Sequence, residues 1–138
     1  MAADRNAASL IALDAVVLDT ETTGLDPRTA RIVEIAAVRL VNGRLDIGAP
    51  FRRLLQPGEP IPASATRIHG IDAAVVAGAP TFADVWTEFS VYHGGTVLIG
   101  HAIGFDCAVL ARECSRIGRM WQSPLTLDTQ MLAQIAAP

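Results

Sequence analysis

Apolar and polar positions along the chain switch between two periods, and the switches divide it into elements. Val16 to Glu21 is a short β-rich run closed by Thr-Gly and Asp-Pro turn signals. Arg31 to Leu40 (RIVEIAAVRL), the Asn42-Gly43 pair and Leu45 to Leu55 read as a hairpin, giving three early antiparallel strands. After the turn-rich Pro57 to Pro62, ASATRIHGI and DAAVVAGAP read as short helical pieces broken by Gly70 and Gly78. Thr81 is an N-cap for a helix to about His93, with Phe82, Val85, Trp86 and Phe89 at spacings of three and four. Gly94-Gly95 ends it. Val97 to Gly100 is a buried strand, and Gly104 to Ile117 is a helix with Phe105, Ala108, Val109 and Ala111 as its apolar set, stopped by Gly118. Leu125 to Asp128 is one more short strand, leading into a helical tail, TQMLAQIAAP. Strands first and then alternating helix and strand predict an α/β mixed sheet, three antiparallel strands plus parallel ones, flanked by helices.

At 138 residues the chain suits one domain, and its core is rich in small residues, since 51% of positions are apolar but only 5% aromatic. A net charge of -3 argues against a binder of polyanions that works through a broad basic face. All eleven basic residues are arginine, which removes Walker A phosphate binding and Schiff-base chemistry. Cys107 and Cys114 lie seven positions apart in one predicted helix, about 10 Å along its axis and too far for a disulfide. Buried thiols in a reducing cytoplasm are the expectation. No run approaches the ~20 apolar residues of a membrane span, and the start, MAADRNAASLIALD, is too short and mixed for a signal peptide.

Against that background VVLDTETTGLDP stands out, because the chain's most hydrophobic stretch ends on two acids. Asp19 and Glu21, at i and i+2 on a strand, share a face with Cα atoms about 6.6 Å apart. Their repulsion requires a raised pKa, an arginine or a cation, and hard divalent ions such as Mg²⁺ or Mn²⁺ suit oxygen ligands. Acidic residues at a strand end, one facing solvent, are the ordinary alternative. A third acid, Asp106 in GHAIGFDCAVL, falls in the first turn of a helix just after a buried strand. It either stabilises that N-terminus or joins the other two. Three acids at the ends of core elements favour a metal cluster.

DTETTGL, RIVEIAAV, RIHGI and GHAIGFD, in this order and at these intervals, resemble the DEDD-type 3'-5' exonucleases of the RNase H-like fold. That family includes the proofreading subunit of bacterial DNA polymerase III and RNase T, and the resemblance runs from about Ala15 to Ala133. It implies two metal ions, Mg²⁺ or Mn²⁺, with Asp19 bridging both, Glu21 holding one and Asp106 acting on the second. It implies hydrolysis of DNA or RNA 3' ends, single-stranded or frayed, to nucleoside monophosphates. It further implies that Leu25 is an apolar wedge at the terminal bases, that His69 and Phe105 lie beside the terminal nucleotide, and that Thr20, Thr22 and Gly24 shape the loop meeting its phosphate and sugar. Without the resemblance, Leu25 and Phe105 read as core and His69 as a residue holding its loop by a hydrogen bond. Glu34 is either solvent-facing or a support for the ligands, His101 is structural, and His93 marks a helix end.

The family also needs a fourth acid, preceded five positions earlier by histidine or four earlier by tyrosine. Asp128 is the only acid after Glu113, and it follows Ser123 and Pro124 at those positions, so it matches the family's structural LDT segment instead. Ala102 stands where relatives often have asparagine. The expectation is therefore a single exonuclease-like domain over residues 1–138, incomplete at its C-terminus and lacking the final helix, cytoplasmic, impaired in catalysis and prone to dimerise through the face left open. The alternative is a non-catalytic module binding a nucleotide or nucleic-acid end within a larger regulatory protein.

Overall fold

A computed structural model describes residues 13–137. The reading of the alanine-rich start falls mostly on residues 1–12, outside the described residues.

The first strand, β1, spans Ala15–Thr22 and buries Val16, Leu18, Thr20 and Thr22, so the pleat alternates as the pattern predicts. β2 (Ile32–Val41) runs antiparallel to it, with Asp19 opposite Ala36 and Glu21 opposite Glu34. Asn42 (φ 50°) and Gly43 (φ 73°) both take left-handed backbone, the turn that matches the twist of paired strands. The next strand is not continuous as expected. It pairs with β2 briefly as β3 (Arg44–Leu45) and resumes as β4 (Phe51–Leu54). Between them come Gly48 and Pro50, of which proline has no N–H to give a ladder.

The first helix, α1 (Ala63–His69), closes on Gly70 in the left-handed region. DAAVVAGAP, expected to be helical, forms turns. It carries one buried anchor, Val76, which packs with Val33 and Ile71, and Gly78 (φ 77°) ends it before a helix is established. α2 (Phe82–His93) begins with a reciprocal capping box, the Thr81 hydroxyl accepting from Asp84 N while Asp84 accepts from Thr81 N.

β5 (Val97–Gly100) lies parallel to β1, and β6 (Thr126–Asp128) parallel to β5, giving the order β3-β2-β1-β5-β6 with β4 also on β2. α3 (Ile103–Arg116) follows β5, and α4 (Thr129–Ala136) follows β6. This is the mixed α/β sheet of the RNase H-like class. The main core joins Val16, Leu18, Ile35 and Leu98 of the sheet to Phe89 of α2 and Leu110 of α3. The buried face of α3 differs from the expected one. Ile103, Asp106, Cys107, Leu110, Glu113 and Cys114 are buried with Val109, while Ala108 is exposed. Alanine carries too little apolar area to set a helix's orientation, and the buried acids hide the true stripe. Both cysteines are free and buried. No described helix is long and apolar enough to cross a membrane.

Candidate functional site

Because β5 is parallel to β1, the turn after β5 and the N-terminus of α3 arrive at the C-terminal end of β1, where Asp19 and Glu21 lie. The approach is tight. A side chain at Gly100 would place its Cβ 2.8 Å from the Leu18 carbonyl oxygen and 2.7 Å from Ile103 Cδ1, so only glycine fits where β5 meets β1. Ala102 then takes left-handed backbone (φ 52°, ψ 43°) to start α3, a geometry that asparagine tolerates better than alanine. Its N–H donates to Asp128 Oδ1 at 3.0 Å, and the same oxygen caps α4 by accepting from Gln130 N at 2.9 Å. Asp128 is thus a corner brace, in keeping with its reading as a structural position.

Asp106, 4% exposed, accepts two hydrogen bonds on Oδ1 from Thr20, from the backbone N at 2.9 Å and from Oγ1 at 2.6 Å. Thr20, expected with Thr22 and Gly24 to shape the loop that meets the phosphate and sugar, lies on the core side of the pleat and holds Asp106. Asp19 is exposed and Glu21 half-buried on the other face of the strand. Burial raises the pKa of Asp106, the Thr20 bonds oppose the rise, and the charge of Asp19 adds to it. Burial also raises Glu21, followed by the charge of Asp19, with His69 pulling down and Glu34 and Asp106 contributing further increases. Three acids therefore share one field. Among the described residues none of them is in an ion pair with an arginine. Glu34, opposite Glu21, differs in being paired with Arg52 at 2.9 Å.

Beside Glu21 opens a cleft of about 150 Å³, lined also by Thr22, Gly24, Leu25, Ala65, Ile68 and His69. Leu25 is 85% and Ile68 76% exposed at its mouth, so neither is core. Thr22 Oγ1 donates to the Gly24 carbonyl at 2.7 Å and shapes the turn. His69 Nε2 donates to the Thr22 carbonyl at 3.0 Å, while Nδ1 accepts from Ile71 N at 3.0 Å. Both ring nitrogens are engaged with backbone, and the ring face is what His69 offers the cleft. Phe105 is half-buried against the main core and does not line this cleft. His93 is a buried helix-end residue, as expected, and His101 is an exposed turn residue.

Among the described residues, no group of three or more His, Cys, Asp or Glu side chains is disposed to hold a metal ion by itself. The three acids share a neighbourhood without closing into an all-protein cage. Sequence reasoning also missed a buried group at the far end of α3, where Glu113 (1% exposed) pairs with Arg31 at 2.8 Å and Arg116 at 3.4 Å. Its position seven residues after Asp106, two turns along the same helix face, was the available signal.

Residues 16–137 match the model of a family described as Exonuclease. The chain is 47% identical over 121 residues to a DNA polymerase III subunit epsilon-like protein of Rhodobacter capsulatus, covering 87% of this chain and 17% of that one. It is 37% identical over 128 residues to the DNA polymerase III subunit epsilon of Rickettsia conorii, covering 89% and 55%. This chain therefore spans about half the length of that relative and a much smaller share of the first. Among solved structures, exonuclease X in complex with 5' overhanging duplex DNA superposes with a TM-score of 0.68 at 31% identity, over 89% of this chain and 64% of that one. Exonuclease I of E. coli in complex with a dT13 oligonucleotide shares the fold, with a TM-score of 0.77 at 20% identity over 89% of this chain and 29% of that one.

Proposed function

Because the chain belongs to the exonuclease family of DEDD-type, RNase H-like nucleases, we propose that it is a metal-dependent 3'-5' exonuclease domain releasing nucleoside monophosphates from nucleic-acid 3' ends. The observation that carries this reading is the set of carboxylates Asp19, Glu21 and Asp106, none in an ion pair with an arginine among the described residues, beside a cleft rimmed by an exposed leucine. The acids fit a hard cation on their own chemistry. They offer only oxygen, two of them are raised in pKa, and among the described residues no arginine neutralises them. Mg²⁺ in particular is commonly bound by one or two carboxylates together with water and substrate phosphate, so an all-protein cage is not required. Asp19 and Glu21 would hold such ions directly, with Asp106 reaching them from the core side. When bound, the ions supply charge neutralisation at the scissile phosphate and a lowered pKa for the attacking water.

The chain's own residues position the strand end, and the fourth acid and general base of the family are not among the described ones. Thr20 fixes one oxygen of Asp106 and leaves the other free to act. The turn closed by Thr22 and Gly24 presents backbone near the terminal phosphate and sugar, and Leu25 stands where it can wedge against the terminal base. Ile68 and the His69 ring form the opposite wall, and Phe105 supports that end of α3. None of these contacts reads a base edge, so discrimination would rest on the strand end and its fraying rather than on sequence.

An oligonucleotide labelled at its 3' end, incubated with Mn²⁺, tests the reading: slow stepwise release of labelled mononucleotide, impaired for want of the family's fourth acid and general base, is expected from the wild type and none from Asp19→Asn. The absence of the family's fourth acid and its base from the described residues favours one competing reading, a module that binds a nucleic-acid end without cleaving it. Retention of the oligonucleotide intact, with or without metal, would select that reading.

A further inference from the structure

The loop from Thr23 to Arg31 joins β1 to β2 and carries Leu25. Its base is closed by Thr23 N donating to the Arg31 carbonyl at 2.9 Å and Arg31 N donating to Thr23 Oγ1 at 2.9 Å. Inside it, the N–H groups of Thr29 and Ala30 donate to the Asp26 carbonyl at 3.1 and 2.8 Å. Its far side is tied to the last two turns of α3. Arg116 Nη1 donates to the Ala30 carbonyl at 3.0 Å and Nη2 to the Arg28 carbonyl at 3.2 Å. Glu113 Oε1 accepts from Ile32 N at 3.1 Å and from Arg31 Nε at 2.8 Å. Glu113 Oε2 is buried with no hydrogen-bond partner among the described residues.

Stability alone is a weak reason for this arrangement, since a buried ion pair is often replaceable by apolar residues at no loss. Its geometric effect is specific. α3 carries Asp106 in its first turn and Arg116 in its last, ten residues or about 15 Å apart along a rigid axis. One helix therefore locates both an acid of the candidate site and the arch that holds Leu25 over the cleft. We propose that Glu113 and Arg116 are positioning residues that set Leu25 against the terminal nucleotide, so that grip on a 3' end is fixed by α3 and not by the loop itself. This inference rests on the functional reading above.

The test uses the full chain and an oligonucleotide with 2-aminopurine as its 3'-terminal base, titrated by fluorescence against the wild type, Leu25→Ala, Arg116→Gln and the double variant. Each single change is expected to weaken binding about tenfold, and the double variant no more than the weaker-binding single. Arg116→Lys, which keeps one donor near the loop carbonyls, should recover part of the loss. Independent, multiplicative losses, or unchanged binding by Arg116→Gln, overturn the proposal. Hydrogen exchange provides a readout that needs no ligand. In Arg116→Gln, and likewise in Glu113→Gln, the amides of Thr29 and Ala30 should exchange faster while Phe89 and Ile99 keep their protection, and an unchanged loop overturns the clamp. Failure of the wild type to bind the oligonucleotide, with the exchange result as expected, would remove the functional reading and leave the clamp standing.

Discussion

Replacing Asp128 by alanine removes one carboxylate oxygen that serves two elements. The first loss is the cap of α4, where Asp128 Oδ1 accepts from Gln130 N at 2.9 Å; such caps are worth about 1 kcal/mol. The second is the bond from Ala102 N at 3.0 Å, whose partly buried N–H is left without its partner at a cost of about 1 kcal/mol more. A chain of 138 residues unfolds with an entropy of about 0.29 kcal/mol/K, so a combined loss of about 2 kcal/mol lowers Tm by about 7 °C. Asp128→Asn keeps an oxygen acceptor in place and should cost about half as much. Differential scanning calorimetry of the three proteins measures this directly. A Tm within about 1 °C of wild type for Asp128→Ala would refute the brace, because neither bond could then be worth its ordinary value. A second readout guards against misassignment: Asp128→Asn should still bind Mn²⁺, and loss of the binding heat would make Asp128 a ligand rather than a brace.

The left-handed conformation of Ala102 costs an L-residue about 1–2 kcal/mol, so Ala102→Gly or Ala102→Asn should raise Tm by about 3–7 °C, and a lowered Tm in thermal melts would show that no strain is stored there. Burial lowers the pKa of His93, whose Nε2 has no hydrogen-bond partner among the described residues, so the folded state prefers the neutral ring. The unfolded chain then binds more protons below about pH 6.5, and this part of the stability is complete above that pH and lost as pH falls through it. Urea midpoints between pH 7.5 and 5.5 should fall for the wild type and stay flatter for His93→Gln; identical slopes would contradict the assignment.

Most of the fold was legible because its signals are local. The capping box at Thr81 and Asp84, the Asn42-Gly43 turn and the alternation of β1 each depend on residues within reach of one another in sequence. The strand expected over Leu45 to Leu55 broke, and DAAVVAGAP formed turns, because sheet pairing and the lone anchor Val76 decided those stretches against their composition. At the candidate site the acids Asp19, Glu21 and Asp106 and the exposed Leu25 were readable from motif order. The partners were not. That Thr20 faces Asp106 across 86 positions, or that Glu113 meets Ile32 across 81, follows from the parallel placement of β5 beside β1 and the return of α3 over the sheet. His69 shows the same limit: which backbone groups its two nitrogens engage, those of Thr22 and Ile71, was not in its motif.

The acids gathered at the end of β1 are proposed to hold a divalent cation. Isothermal titration of Mn²⁺ into the wild type, Asp19→Asn and Asp106→Asn tests this most directly. A saturable binding heat is expected for the wild type, with affinity weakened about tenfold or more in either variant, since each removes a full charge from a site of three. Equal heats from all three proteins would contradict the account.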